Sequence, residues 1–175
     1  MKGLRLVSLV LVIFFITFLI LFIANQNFNP LPQGVKATHL VVEKADRKLN
    51  LIQDGQVVKS YPVSFGAQPK GDKIREGDER TPEGTYIIDW RNENSSFYLS
   101  MHISYPDSND RKQAQLTGND PGGMIMIHGM RNGLGWLGKI HRMVNWTDGC
   151  IALTNYEMDE LWRAVDDGTK IEIRP

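Results

Sequence analysis

Cysteine is nearly absent: Cys150 is the only one in 175 residues, so an intramolecular disulfide is excluded before any fold is considered. Charge of neither sign is in excess, since 20 Lys and Arg balance 20 Asp and Glu. With no basic block past the N-terminus, nothing points to nucleic acid. Metal motifs are missing too. There is no Cys-x-x-Cys and no His-Glu-x-x-His, and the four histidines share no ligand spacing, so neither a metal nor another cofactor is expected. Gly118-Asn119-Asp120-Pro121-Gly122-Gly123 is glycine-rich but lacks Gly-Lys-Ser/Thr, and reads as a turn before a strand rather than a phosphate loop.

One long apolar run is present. Leu6 to Ala24 is interrupted only by Ser8 and Thr17 and is long enough to cross a bilayer core. Its length exceeds the usual signal-peptide core, and no small-x-small site follows closely, so the reading is a retained anchor over residues 1–24, with a cleaved signal peptide as the competitor. Lys2 and Arg5 precede the run, which places the remainder outside the cytoplasm of a single-pass membrane protein. Residues 25–37 carry two prolines and a glycine and read as a short linker. Residues 38–175 have the size of one domain.

Within that domain the β signals dominate. Thr38–Lys44, Lys48–Gln53 and Gln56–Phe65 read as strands, the last two forming a hairpin about Asp54-Gly55. Thr85–Trp90, Phe97–Tyr105 and Gly122–Ile127 follow, the last a continuous apolar run expected at the sheet centre. Met158, Leu161, Trp162 and Val165 recur at helical spacing, with Asn155 as the expected N-cap and Asp167-Gly168 as the stop. Lys170–Arg174 alternates and closes the fold. The class is mostly β with one clear helix near the C-terminus.

A lone thiol outside the cytoplasm is either a buried small hydrophobe or a nucleophile. Glycine directly before Cys150, a helix start just after it and a histidine at the end of a separate strand favour the nucleophile. His128 is the candidate base, producing a thiolate–imidazolium pair, and the amides around Gly149 and Cys150 are candidate oxyanion donors. His141, in a glycine-rich stretch read as a flexible flap, is the other base within reach. Asp148 opposes a thiolate if it faces the same cavity.

Ile127-His128-Gly129 followed by Thr147-Asp148-Gly149-Cys150-Ile151 resembles the L,D-transpeptidase catalytic domain, the YkuD-like family of peptidoglycan enzymes. Asp46-Arg47-Lys48-Leu49, Tyr61-Pro62-Val63-Ser64-Phe65-Gly66, Thr81-Pro82-Glu83-Gly84 and Asn155 extend the resemblance over nearly the whole domain. Many members carry arginine two residues after the cysteine, where this chain has Ala152. Arg131, Lys139 or Arg142 is the expected substitute. The resemblance implies a β-sandwich with a C-terminal helix. It also implies Cys150 as acyl-enzyme nucleophile, His128 as general base and Gly149 at the oxyanion, with Gly129, Thr147, Asp148, Arg131 and Arg142 around a peptidoglycan stem peptide. The acyl group would pass to an amine. A hydrolase using the same pair and a non-catalytic wall-binding module are the rival readings.

Overall fold

The computed structural model describes residues 2–175. Helix α1, Lys2–Ala24, contains a 20-residue apolar span, Arg5–Ala24, of mean hydropathy 3.3, in which Ala24 at the end is buried against the rest of the chain. Retained anchors and signal sequences share this profile.

Eight strands follow: β1 His39–Glu43, β2 Lys48–Gln53, β3 Gln56–Pro62, β4 Gly84–Ser95, β5 Tyr98–Ile103, β6 Met126–His128, β7 Ile151–Ala152 and β8 Lys170–Arg174. Their spatial order is β3-β2-β1-β8-β4-β5-β6-β7. The β2–β3 hairpin turns on Asp54 and Gly55, both at positive φ (51° and 79°), the conformation a tight hairpin demands. β4 belongs to both halves of the sheet. Its first residues pair with β8 and its remainder with β5, and register shifts after Ile88 and Asn92 bend it from one layer into the other.

The chain leaving β3 then meets β7. Ser64 and Ala152 exchange N–H···O=C bonds of 3.0 and 2.8 Å, and Gly66 bridges Thr147. The sheet therefore curls back on itself. Leu40, Val42, Leu49, Leu51, Ile171 and Ile173 fill one part of the enclosed core, and Ile127, Ile151, Leu153 and Met158 another. Each such burial contributes roughly 1.5–3 kcal/mol.

Helix α2, Ser108–Leu116, was not expected from apolar periodicity. Asp107 caps it, accepting from the N–H groups of Asn109 and Asp110 at 2.7 and 2.9 Å. Helix α3, Asn155–Ala164, takes Thr154 rather than Asn155 as its N-cap and ends before Asp167-Gly168. The Glu157 carboxylate accepts from the Thr154 N–H (3.2 Å) and hydroxyl (2.6 Å), which frees the Asn155 side chain for another task. The expected strand from Gly122 begins only at Met126, because Met124 takes a positive φ of 57° and is largely exposed.

Residues 25–37 run along α3. Glu160 Oε1 accepts from Asn27 Nδ2 at 2.7 Å and from the Leu31 N–H at 2.8 Å, and Leu31 is buried in the core.

Candidate active site

β6 and β7 are parallel neighbours in which Ile127 pairs with Ile151 and His128 with Ala152. Side chains alternate along a strand, so the two isoleucines turn into the core while His128 faces the opposite way. Cys150, one step before β7, falls opposite Met126 and shares that second face. The Met126 N–H lies 3.4 Å from Cys150 Sγ, and Sγ lies 3.6 Å from the Met124 carbonyl oxygen. Cys150 and His128 both line a cavity of about 590 Å³, together with Phe97, Met124, Arg131, Leu137, His141, Trp146, Thr147 and Asp148 among others.

His128 is held from several sides. Its Nδ1 is 2.7 Å from the Gly129 carbonyl oxygen, which assigns the proton to Nδ1 and leaves Nε2 as the basic nitrogen. Phe97 lies 4.7 Å from the imidazole, centroid to centroid, and Trp146 lies 5.6 Å from it. The following turn is fixed by Asn155, whose Oδ1 accepts the Met130 N–H at 2.9 Å.

The loop that carries Cys150 is equally constrained. Gly149 has φ 118°, and a Cβ there would meet the Arg80 carbonyl oxygen at 2.5 Å. The Thr81 hydroxyl donates to the Gly149 carbonyl at 2.8 Å, and the Thr147 hydroxyl donates to the Cys150 carbonyl at 2.7 Å. The Gly149 N–H donates to Thr147 Oγ1 at 3.3 Å, so this particular amide turns inward to its own loop. Behind Thr81, the buried Lys44 ammonium donates to the Thr81 and Gly71 carbonyls at 2.9 and 2.6 Å and to Glu83 at 2.7 Å.

Burial sets the protonation states. It pushes the Cys150 thiol up; the Met126 N–H opposes this, Asp148 adds to it and Lys73 counters it. Burial also pulls His128 down to about 4, against the opposing Gly129 carbonyl. Both shifts favour a neutral thiol and a neutral imidazole at rest over the ion pair, because neither charge is solvated there. Asp148 is exposed and lines the cavity, so its charge does reach the sulfur.

The expected cations separate. Arg131 lines the cavity, whereas Arg142 is paired with the Glu157 carboxylate and is not among the lining residues. Lys139 donates to the Gln26 carbonyl at 2.7 Å. His141 lies on a 3-10 segment spanning Gly135–Met143, which takes in part of the glycine-rich stretch read as a flap and walls the cavity through Leu137 and His141. Its Nδ1 accepts from the Trp146 indole N–H at 3.2 Å and lies 3.4 Å from Ser64 Oγ, and burial pulls it down to about 3. Phe97, Ser64 and Asn155 were missed as site-building residues because each reaches the site only through tertiary contact; Trp146, beside the Thr147 motif, was the one with a local signal. Among the described residues, no group of three or more His, Cys, Asp or Glu is placed to hold a metal.

The comparisons with known proteins bear on the family and the fold. YafK of Escherichia coli (strain K12), a protein provisionally named as an L,D-transpeptidase, is 25% identical over 178 residues, covering 94% of this chain and 64% of that protein. The helical cell shape determining protein Pgp2 from Campylobacter jejuni shares the fold at TM-score 0.56 and 24% identity, covering 77% of this chain and 46% of Pgp2. Bd1075 of Bdellovibrio bacteriovorus does so at TM-score 0.55 and 21% identity, covering 82% and 49% of the two chains. The chain thus spans less than two thirds of the length of YafK and about half of these structural neighbours. The model of the L,D-transpeptidase catalytic domain matches residues 37–173, which take in all of the curled sheet except Arg174 at the end of β8, and the chain belongs to that YkuD family.

Proposed function

We propose that this protein is a cysteine acyltransferase acting on peptidoglycan stem peptides outside the cytoplasmic membrane. The observation that carries this reading is the placement of Cys150 and His128 on one face of the β6–β7 pair, lining one cavity. A substrate carbonyl entering the cavity meets the sulfur, and His128 Nε2 takes the thiol proton as the S–C bond forms, so ionisation is coupled to attack. The developing oxyanion is met by the Cys150 N–H, whose orientation Gly149 sets through its positive φ. The imidazolium returns its proton to the leaving amine, the C–N bond breaks, and a thioester remains on Cys150. An incoming amine then loses a proton to His128 as it attacks, and expulsion of the thiolate, reprotonated by the imidazolium, completes transfer.

Asp148 and Thr147 shape the entrance beside the sulfur, and Arg131 supplies the cation for a donor carboxylate in place of the arginine absent at Ala152. Gly129 brings its carbonyl to His128 Nδ1. Intact-protein mass spectrometry of the full chain with a tetrapeptide stem tests the reading. An adduct lacking the terminal residue is expected on wild type and absent from Cys150→Ala, and its decay should accelerate with an added acceptor amine. Decay indifferent to the amine would favour hydrolysis, and folded wild type with no adduct would overturn the acyl-enzyme.

A further inference from the structure

The 3-10 segment that walls the cavity is fastened on its other side to the end of α1. Asn25 Nδ2 donates both to the Leu21 carbonyl in the last turn of α1, at 2.8 Å, and to the Trp136 carbonyl, at 2.7 Å. Lys139 donates to the Gln26 carbonyl at 2.7 Å, and its ammonium lies 5.2 Å from the centre of the Phe28 ring. Gly138, at φ 48°, approaches so closely that a Cβ would lie 2.5 Å from the Ala24 carbonyl oxygen. This contact requires glycine on both conformational and steric grounds.

The same segment is apolar where it is exposed. Trp136 is 56% exposed, Met143 81%, and Phe28 beside Lys139 is 74%. Residues 121–147 contain no acidic side chain, while Arg131, Lys139 and Arg142 fall within them. Exposed aromatic and apolar groups mark a surface that meets something. Arg142 is already paired with Glu157, but at the end of a membrane span an exposed tryptophan and phenylalanine with the Lys139 ammonium beside them match the headgroup layer of an anionic bilayer.

We infer that the Gly135–Met143 segment rests in the headgroup layer of the bilayer that α1 crosses, with Trp136 and Phe28 seated among lipid. The membrane then backs one wall of the substrate cavity, and Leu137, which lines that cavity, sits between lipid and site. This inference rests on α1 remaining in the bilayer, and not on the acyl-transfer chemistry.

The test reconstitutes the full chain in phosphatidylethanolamine–phosphatidylglycerol vesicles containing lipids brominated near the top of their acyl chains. Tryptophan emission of wild type is compared with that of Trp136→Phe and Gly138→Ala, and intact mass verifies that the N-terminal helix is present. Bromine quenching of wild type is expected, with most of the quenched emission lost in Trp136→Phe. Gly138→Ala, which forces the segment off α1, should cut the quenching severalfold while the chain stays in the vesicles. Equal quenching in wild type and Trp136→Phe would overturn the inference. So would a membrane-isolated chain lacking α1, or a dimer in which a second copy shields Trp136. Adduct formation at Cys150 is read separately and is untouched by any of these three results.

Discussion

The Met126 N–H points at Cys150 Sγ across 3.4 Å, so the strand that carries His128 also supplies the dipole that faces the thiol. That single donor favours the thiolate but does not outweigh burial and the Asp148 charge, and the thiol is held above its ordinary range. In the proposed reaction, activation therefore comes from His128 during attack rather than from a standing thiolate.

Simple alkylation should report this directly. The rate of Cys150 modification by iodoacetamide is expected to be slow at neutral pH and to climb through the alkaline range, with its midpoint above that of a free thiol. Asp148→Asn removes a like charge, so it should move the profile toward lower pH. A neutral or acidic midpoint in wild type would contradict the neutral resting pair.

Two buried imidazoles make folding sensitive to acid. His128 and His141 have folded values of about 4 and about 3, below the 6.5 of the unfolded chain. Between those values the unfolded state binds more protons, so stability rises with pH and is lost as pH falls from about 6.5 toward 4 and below. The loss should reach at most roughly 3 kcal/mol for His128 and roughly 5 kcal/mol for His141. Thermal unfolding across this range should be steep for wild type and shallower for His141→Gln, with identical slopes counting against the burial argument.

Asn155 joins α3 to the turn after His128 through the Met130 N–H, and Met130 is buried. Asn155→Ala leaves that donor unpaired, a cost of about 1–3 kcal/mol. It also frees the Gly129 carbonyl, which holds Nδ1. Denaturant unfolding should show the stability loss, and acylation should slow more than substrate affinity weakens. Unchanged acylation in a folded variant would reduce Asn155 to a structural role.

How much of this was legible in the chain follows from which contacts are local. The β2–β3 hairpin could be read because Asp54-Gly55 carries its own conformational demand, and the family could be read from the His128 and Cys150 segments in order. Helix α2 was invisible to periodicity because Ala114 is its only buried residue; its signal lay in the Asp107 and Asp110 cap alone. The strand before His128 was read too long because Met124-Ile125-Met126-Ile127 is uniformly apolar, while Met124 is turned out by backbone conformation. The pairing of Arg142 with Glu157 and the packing of Phe97 on His128 depend on the curl of the sheet, which no short window of sequence encodes.

That curl also explains why a lysine far from the cavity should matter to the nucleophile. Lys44 follows β1, yet its buried ammonium binds the Thr81 carbonyl and Glu83, and the Thr81 hydroxyl holds the Gly149 carbonyl. Lys44→Met keeps the stem but strands the partly buried Glu83 carboxylate and releases the Gly71–Glu83 loop. Breaking one side of such a pair costs about 3–5 kcal/mol. Replacing both Lys44 and Glu83 with apolar residues should recover part of that stability without restoring the contact to Thr81. The double variant therefore separates folding from positioning. Its unfolding midpoint should rise above that of Lys44→Met while its acylation of Cys150 stays slow, whereas recovery of both together would mean that Lys44 acts on stability alone.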